Sequence, residues 1–270
     1  FLFRQDISPR LVNRILNEEY GGKDPLPVMQ HALMRTWDEW KNDGDGGVIT
    51  LEHYTKAGTM QDALSLDADA AMEGMDEKEL HLAKNIFQAL SDTDESNRKV
   101  RRPARLKEIE KITGAGGKKI LGILNRFRSH GRSFIIISGD KDKNNPVIDI
   151  SHESLLRQWQ QLKEWIDEET EDKKRYLKLV EAKEDFDKGE GAYLQDPQLQ
   201  LALDWLETKQ PVKEWAHRYH TGFPEVKNFI KTSEAKRKAY KRAKKIRFII
   251  FTASLVVLSL LAVVFGITAY

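Results

Sequence analysis

Gly114-Ala115-Gly116-Gly117-Lys118-Lys119 has the composition of a loop that cradles phosphate, and chemistry is sought there first. Such a loop needs G-x-x-x-x-G-K-[ST] between a strand and a helix, so that backbone N–H groups line the phosphates and a hydroxyl reaches Mg²⁺. Here Ile112 occupies the first glycine position, Lys119 replaces the hydroxyl, and no strand is expected before the turn. A glycine-rich turn between two helices is the reading that follows. His152-Glu153 does not open an H-E-x-x-H metal motif, because position 156 is Leu. His217 and His220 are three apart and can share a helix face, but no carboxylate or third imidazole is set beside them, so no metal site is assigned. No G-x-S-x-G nucleophile turn occurs. The chain has no cysteine, which excludes disulfides and thiolate-held metals and suits a reducing compartment.

His152 follows a β-rich run and stands at the mouth of a helix, with Ser151 as the expected cap. Backbone N–H groups at a helix start attract anions, and a His in the first turn adds a donor for phosphate. On residue types alone, a His that merely packs or caps locally comes first. A second grouping is cationic: Lys118, Lys119, Arg126, Arg128, His130 and Arg132 lie on or beside one helix, enough for phosphate contacts to a nucleic acid. Against that stand Glu108 and Glu110 just upstream and a net charge of only +2 for the whole chain.

These residues need elements to hold them. Ser8-Pro9 is a helix start, with Ser8 as cap and Pro9 at the first helical position, and Gly21-Gly22 is a break. Pro25-Leu26-Pro27 opens a second helix whose stripe is expected to be Leu26, Met29, Leu33, Trp37 and Trp40. Between 76 and 151 the order is helix (76–90, with Leu80, Ala83, Phe87 and Leu90 on one face), polar loop (92–99), short helix (105–112), glycine turn, and helix (118–130, presenting Ile120, Ile123, Leu124 and Phe127). Two runs rich in Ile and Val, 133–138 and 147–151, then flank an Asp-Asn-Gly-Pro loop and read as a β-hairpin. Helices followed by a hairpin are the layout of a winged helix. A long helix is expected from His152 to about Glu169, with further helices at 176–187, 198–208 and 212–219.

The last twenty-three residues, Phe248 to Tyr270, carry no charged side chain, and eight Lys or Arg fill the twelve positions before them. A helix of this length, about 35 Å, is expected to cross a bilayer core of about 30 Å. The basic flank predicts that the preceding residues stay on the cytoplasmic side of the inner membrane, with Lys236–Arg247 against anionic lipid headgroups. The expected architecture is mainly α: a helical lid (1–75), a winged helix with one β-hairpin (76–170), a helical arm (171–245) and a transmembrane helix (246–270). The chain begins at Phe1 without an initiator Met and is expected to be a piece of something longer.

Several blocks together resemble a known family. Leu26-Pro27-Val28-Met29-Gln30-His31-Ala32-Leu33-Met34-Arg35-Thr36-Trp37, Ile49-Thr50-Leu51-Glu52-His53-Tyr54, Arg102-Pro103-Ala104-Arg105 and Ile150-Ser151-His152-Glu153-Ser154-Leu155-Leu156-Arg157-Gln158-Trp159 are similar to the C-terminal part of the novel STAND NTPases, signal-transducing ATPases related to the AAA+ class. The resemblance runs to about residue 247, more loosely after 170. It implies a P-loop domain before Phe1, a helical lid, a winged helix and a sensor. It also implies that Pro27 packs near adenine and that His152 contacts the β-phosphate of ADP in a closed state, although Glu153 stands where Asp is usual. ATP or ADP, with Mg²⁺, would be bound mostly by the upstream domain. The implied function is the regulatory part of a membrane-tethered nucleotide switch, not catalytic alone, with self-association and an unidentified sensor or effector as partners. The alternative from another class is a membrane-anchored winged-helix transcription regulator that binds DNA, although nucleic acid is not the partner this reading expects.

Overall fold

The computed structural model describes residues 6–18, 25–44, 46–94, 96–129, 132–139 and 144–268, with the backbone alone for 25, 260 and 262–268. The chain is mainly helical and divides into two compact units, residues 1–172 and 173–270.

Unit 1 begins with α1 (Pro9–Leu16), and the Ser8 hydroxyl accepts from Leu11 N at 3.2 Å, as Ser8-Pro9 predicts. The break expected at Gly21-Gly22 lies outside the described residues. α2 (Pro25–Asp43), α3 (Leu51–Lys56) and α4 (Thr59–Met72) follow, and α2 packs along both α3 and α4. Gly58 makes the α3–α4 corner at φ 95°, where a Cβ would meet Leu66 Cδ1 at 2.6 Å, so a left-handed, bare backbone is required. The stripe expected on α2 is displaced. Leu26 and Leu33 are 69% and 40% exposed, whereas Val28, Ala32 and Thr36 are buried. Close approach of α4 selects Val28, Ala32 and Thr36; of the expected stripe Met29 and Trp40 still pack against the core, while Leu26, Leu33 and Trp37 turn outward.

The second half of unit 1 begins with α5 (Glu77–Ala89), capped by Asp76, whose carboxylate accepts from Glu79 N at 2.8 Å. The loop expected at 92–99 is instead bordered by two short antiparallel strands, β1 (Ser91–Thr93) and β2 (Lys99–Arg101). β3 (Ala104–Arg105) leads into α6 (Leu106–Thr113) and α7 (Gly117–Arg126), and β4 (Ile135–Ser138) and β5 (Val147–Ile150) form the expected hairpin. The strand order β3-β5-β4 is antiparallel throughout, with Ala104 opposite Ile148 and Ile137 opposite the same Ile148. Ile120, Ile123, Leu124 and Phe127 are all buried, as the spacing on α7 predicts.

The long helix expected from His152 is broken. α8 (Glu153–Gln158) stops at Trp159, which has ψ 106°, and α9 (Gln160–Lys188) then starts afresh. The break places the Trp159 ring wholly in the core, 5.1 Å from Phe87, 5.7 Å from Phe127 and 5.4 Å from Trp165. One continuous core links the helices before residue 75 with the sheet and helices after it.

Unit 2 holds the second half of α9 with α10 (Gln198–Lys209), α11 (Lys213–Ala216) and α12 (Phe223–Thr268). Its core is aromatic, built on Tyr176, Trp205, Phe223 and Phe229. Tyr176 donates to His220 O at 3.0 Å, and burial raises its phenol pKa. The expected C-terminal transmembrane helix, and the inner-membrane location drawn from it, must be corrected. Among the described residues no helix is long and apolar enough to cross a membrane. The first half of α12 is rich in Lys and Arg, and the unbroken apolar run with described side chains is Phe248–Ser259. At ~1.5 Å per residue that run spans about 18 Å, short of a ~30 Å hydrocarbon core. The remainder of the expected span, up to Tyr270, lies outside the residues whose side chains are described.

Candidate functional site

The second half of α4 gathers polar side chains from several elements of unit 1. Asp67 is 4% exposed, and Arg132 Nε reaches both its Oδ1 at 2.9 Å and its backbone carbonyl at 3.1 Å. From α2, His31 sets Nδ1 3.3 Å from Asp67 Oδ2, at ion-pair distance but off-axis for a hydrogen bond. Arg35 adds a guanidinium 4.0 Å from Oδ1 and donates to Ala57 O at 3.1 Å. The His31 ring stacks on Phe134 at 4.6 Å and 12°, which packs α2 against the segment entering β4. Burial alone would raise the Asp67 carboxyl, but His31 and the Arg132 guanidinium outweigh it and hold the pKa below the ordinary Asp value.

The same stretch of α4 receives two more side chains from the second half of the unit. Arg126 donates to Ala71 O at 2.9 Å and to Glu73 O, satisfying carbonyls that a helix end leaves open. Trp159 Nε1 donates to Asp69 Oδ1 at 2.7 Å. Arg126, Arg132 and Trp159 therefore grip residues 67–73, and α8 packs on α4 as well.

Pro27 stands half-buried in the first turn of α2, where the absence of an N–H costs nothing. His152 is exposed and itself holds the N-cap position of α8, at φ −140° and ψ 139°, without a side-chain capping bond; Ser151, the expected cap, lies one position earlier. The two residues are thus presented by α2 and α8, the two helices that share α4 as their support. Of the His pair, His220 Nε2 lies 3.5 Å from Glu184 Oε1, and His217 ends α11. Among the described residues no group of three or more His, Asp or Glu is placed to hold a metal.

The Gly114–Lys119 turn has a structural explanation. Gly117 N donates to Glu110 Oε1 at 2.6 Å, so a carboxylate already occupies the start of α7. A Cβ on Gly117 would meet that oxygen at 2.8 Å and Leu106 Cδ2 at 3.1 Å. The glycine serves helix packing, and the Gly117 N–H that a phosphate loop would offer to a phosphate is already held by a carboxylate.

Sequence reading passed over Asp67, gave His31 no role, and placed Arg132 among cations for a nucleic acid, where the structure instead fastens it to Asp67. The available signal was the spacing of His31 and Arg35, four apart, on the same face as Val28 and Ala32. A helix that buries its small residues carries those two inward with them.

Fold and site together define a mainly helical chain whose polar machinery holds helices in register and which has no phosphate-cleaving loop of its own. Residues 3–192 match the model of the family described as Novel STAND NTPase 1, and the chain belongs to that family. The match agrees with the resemblance drawn from the Leu26–Trp37 and Ile150–Trp159 blocks, and the looser stretch 193–247 lies beyond it. No curated protein and no solved structure matches the chain.

Proposed function

We propose that residues 1–172 are the regulatory part of a STAND-type nucleotide switch, in which a helical lid (α1–α4) and a winged helix (α5–β5) respond to the state of an adenine nucleotide. The phosphates and Mg²⁺ would be held mostly by a P-loop core outside these residues, since no G-x-x-x-x-G-K-[ST] occurs among them. The bound nucleotide supplies the difference between a diphosphate and a triphosphate. This chain supplies Pro27 against the base and the His152 imidazole as a donor toward phosphate. Half-burial of Pro27 suits stacking on a base, and His152 stands at an exposed position.

The observation that carries the reading is the shared support of α2 and α8 on α4. A nucleotide that contacts Pro27 and His152 touches two helices resting on one, and α4 is in turn bound by Arg126, Arg132 and Trp159. Differential contact with ADP and ATP then biases one packing of lid and winged helix over another. Alone, this part is not expected to hydrolyse ATP. In the full-length protein, His152→Ala is expected to accelerate ADP release by about ten-fold, the loss of one charge-assisted hydrogen bond. A fluorescent ADP analogue measures the off-rate, and an unchanged rate removes His152 from the site.

A further inference from the structure

Between residues 98 and 132 there are twelve Lys or Arg and two Glu, in a chain whose net charge is +2. The fold occupies seven of these twelve cations, among them Arg98 on Asp94 at 2.8 Å and Arg105 on Asn145 O at 3.3 Å. Lys99 pairs with Asp167 at 2.7 Å, Arg101 with Asp149 at 3.0 Å and Arg102 with Glu108 at 2.5 Å, while Arg126 and Arg132 are fastened to α4. Lys107, Lys111, Lys118, Lys119 and Arg128 remain exposed on α6, α7 and the turn that follows, with no ion pair among the described residues. The two glutamates do not neutralise them, because one holds Arg102 and the other caps Gly117.

The chemistry of this face narrows its partner. On α6, α7 and the turn that follows, no large apolar side chain is exposed among the described residues; Leu80 of α5 and Ile136 of β4, 38% and 46% exposed, lie outside that stretch. A protein partner needs aromatic or aliphatic anchors at the centre of its interface, and a single-stranded nucleic acid needs aromatic rings on which to stack. Neither is offered here. What α7 offers is Lys118, Gly122 and Asn125 on one exposed face, at i, i+4 and i+7, with Lys119 beside them. Gly122 has no heavy atom within 4 Å of where a Cβ would stand, so packing does not demand it. A glycine in mid-helix is less favourable than Ala, and its effect here is a bare strip of backbone beside Lys118 and Lys119.

We infer that the exposed face of α7, flanked by α6, is a surface for duplex DNA, bound through its phosphates with α7 toward the major groove. The groove of B-form DNA, ~12 Å wide, admits a helix, whereas the deep and narrow major groove of duplex RNA does not. This inference does not depend on the nucleotide-switch reading and involves neither Pro27 nor His152.

The test is fluorescence anisotropy with a labelled DNA duplex of about 20 base pairs, across about 50 to 200 mM salt. The full chain is expected to bind with an affinity that falls steeply as salt rises. The double variant Lys118→Glu/Lys119→Glu is expected to weaken binding by at least about ten-fold and to reduce the salt slope by about two, one for each phosphate no longer neutralised. Its thermal unfolding should match that of the parent, since both residues are exposed. Lys236→Glu/Lys238→Glu, in the separate basic run of α12, serves as the control and should leave more of the binding intact. No binding at low salt overturns the inference. So does loss of binding only in the α12 variant, or preference for duplex RNA or single strands.

Discussion

Around Asp67 and along α7 the protein puts the same residue types to opposite uses. Arg126 and Arg132 belong to the same cationic stretch as Lys118, Lys119 and Arg128. The first two are drawn onto α4, where a buried carboxylate and open carbonyls receive them. The other three stay in solvent without a counter-charge among the described residues. A cation over a helix end or a buried acid becomes part of the framework, and one a few positions away remains available to a partner. Charge content alone does not separate the two roles; position relative to α4 does.

The contrast is tested most severely at Asp67. Asp67→Ala leaves Arg132, Arg35 and His31 facing a space with no counter-charge, and the expected loss of stability in urea unfolding is about 3–5 kcal/mol. A loss below about 1 kcal/mol would show that the junction is no more structural than a surface pair. Trp159→Phe keeps an aromatic ring in the core but removes the donor to Asp69, and a loss of about 1–3 kcal/mol is expected by the same measurement.

Acid titration sharpens the comparison further. The folded-state pKa of Asp67 is depressed, so its contribution is fully present above the unfolded Asp value, near 3.9, and disappears as pH falls through the depressed value. Stability measured from pH 6 down to about 2 should therefore fall more steeply in the parent than in Asp67→Asn, which cannot titrate there. Ser8→Ala, the loss of one cap on α1, is expected to cost about 1 kcal/mol. Lys118→Ser completes the series, with a change within about 0.5 kcal/mol in either direction because nothing in the fold holds its charge.

Local rules account for much of the fold. Ser8-Pro9 starts α1 where cap chemistry puts the start, Asp76 caps α5, and the apolar spacing on α7 buries the residues it predicts. The hairpin of β4 and β5 is legible in its Ile and Val runs. The failures share a cause. On α2 the large residues formed the more obvious stripe, yet α4 lies so near that Val28, His31, Ala32 and Thr36 are the buried ones, and Leu26, Leu33 and Trp37 are exposed. Trp159 breaks a helical pattern because the core has room for an indole and Asp69 stands at its nitrogen. β1 and β2 have too few apolar residues to announce themselves and exist through pairing with each other. The apolar ending of the chain suggested a membrane span, but the described part of it is too short for one.

What the sequence determined unaided is whatever depends on neighbours a few residues away: caps, turns, the periodicity of α7, the absence of a phosphate loop, and the blocks that place the chain among the novel STAND NTPases. Tertiary structure alone decided which face of α2 is inside, where the helix after His152 breaks, and which cations are bound and which are left to solvent. Those outcomes depend on distances between residues such as Asp67 and Arg132, which lie far apart along the chain. Ion pairs and close packing act through space, and no local window of residues contains both partners.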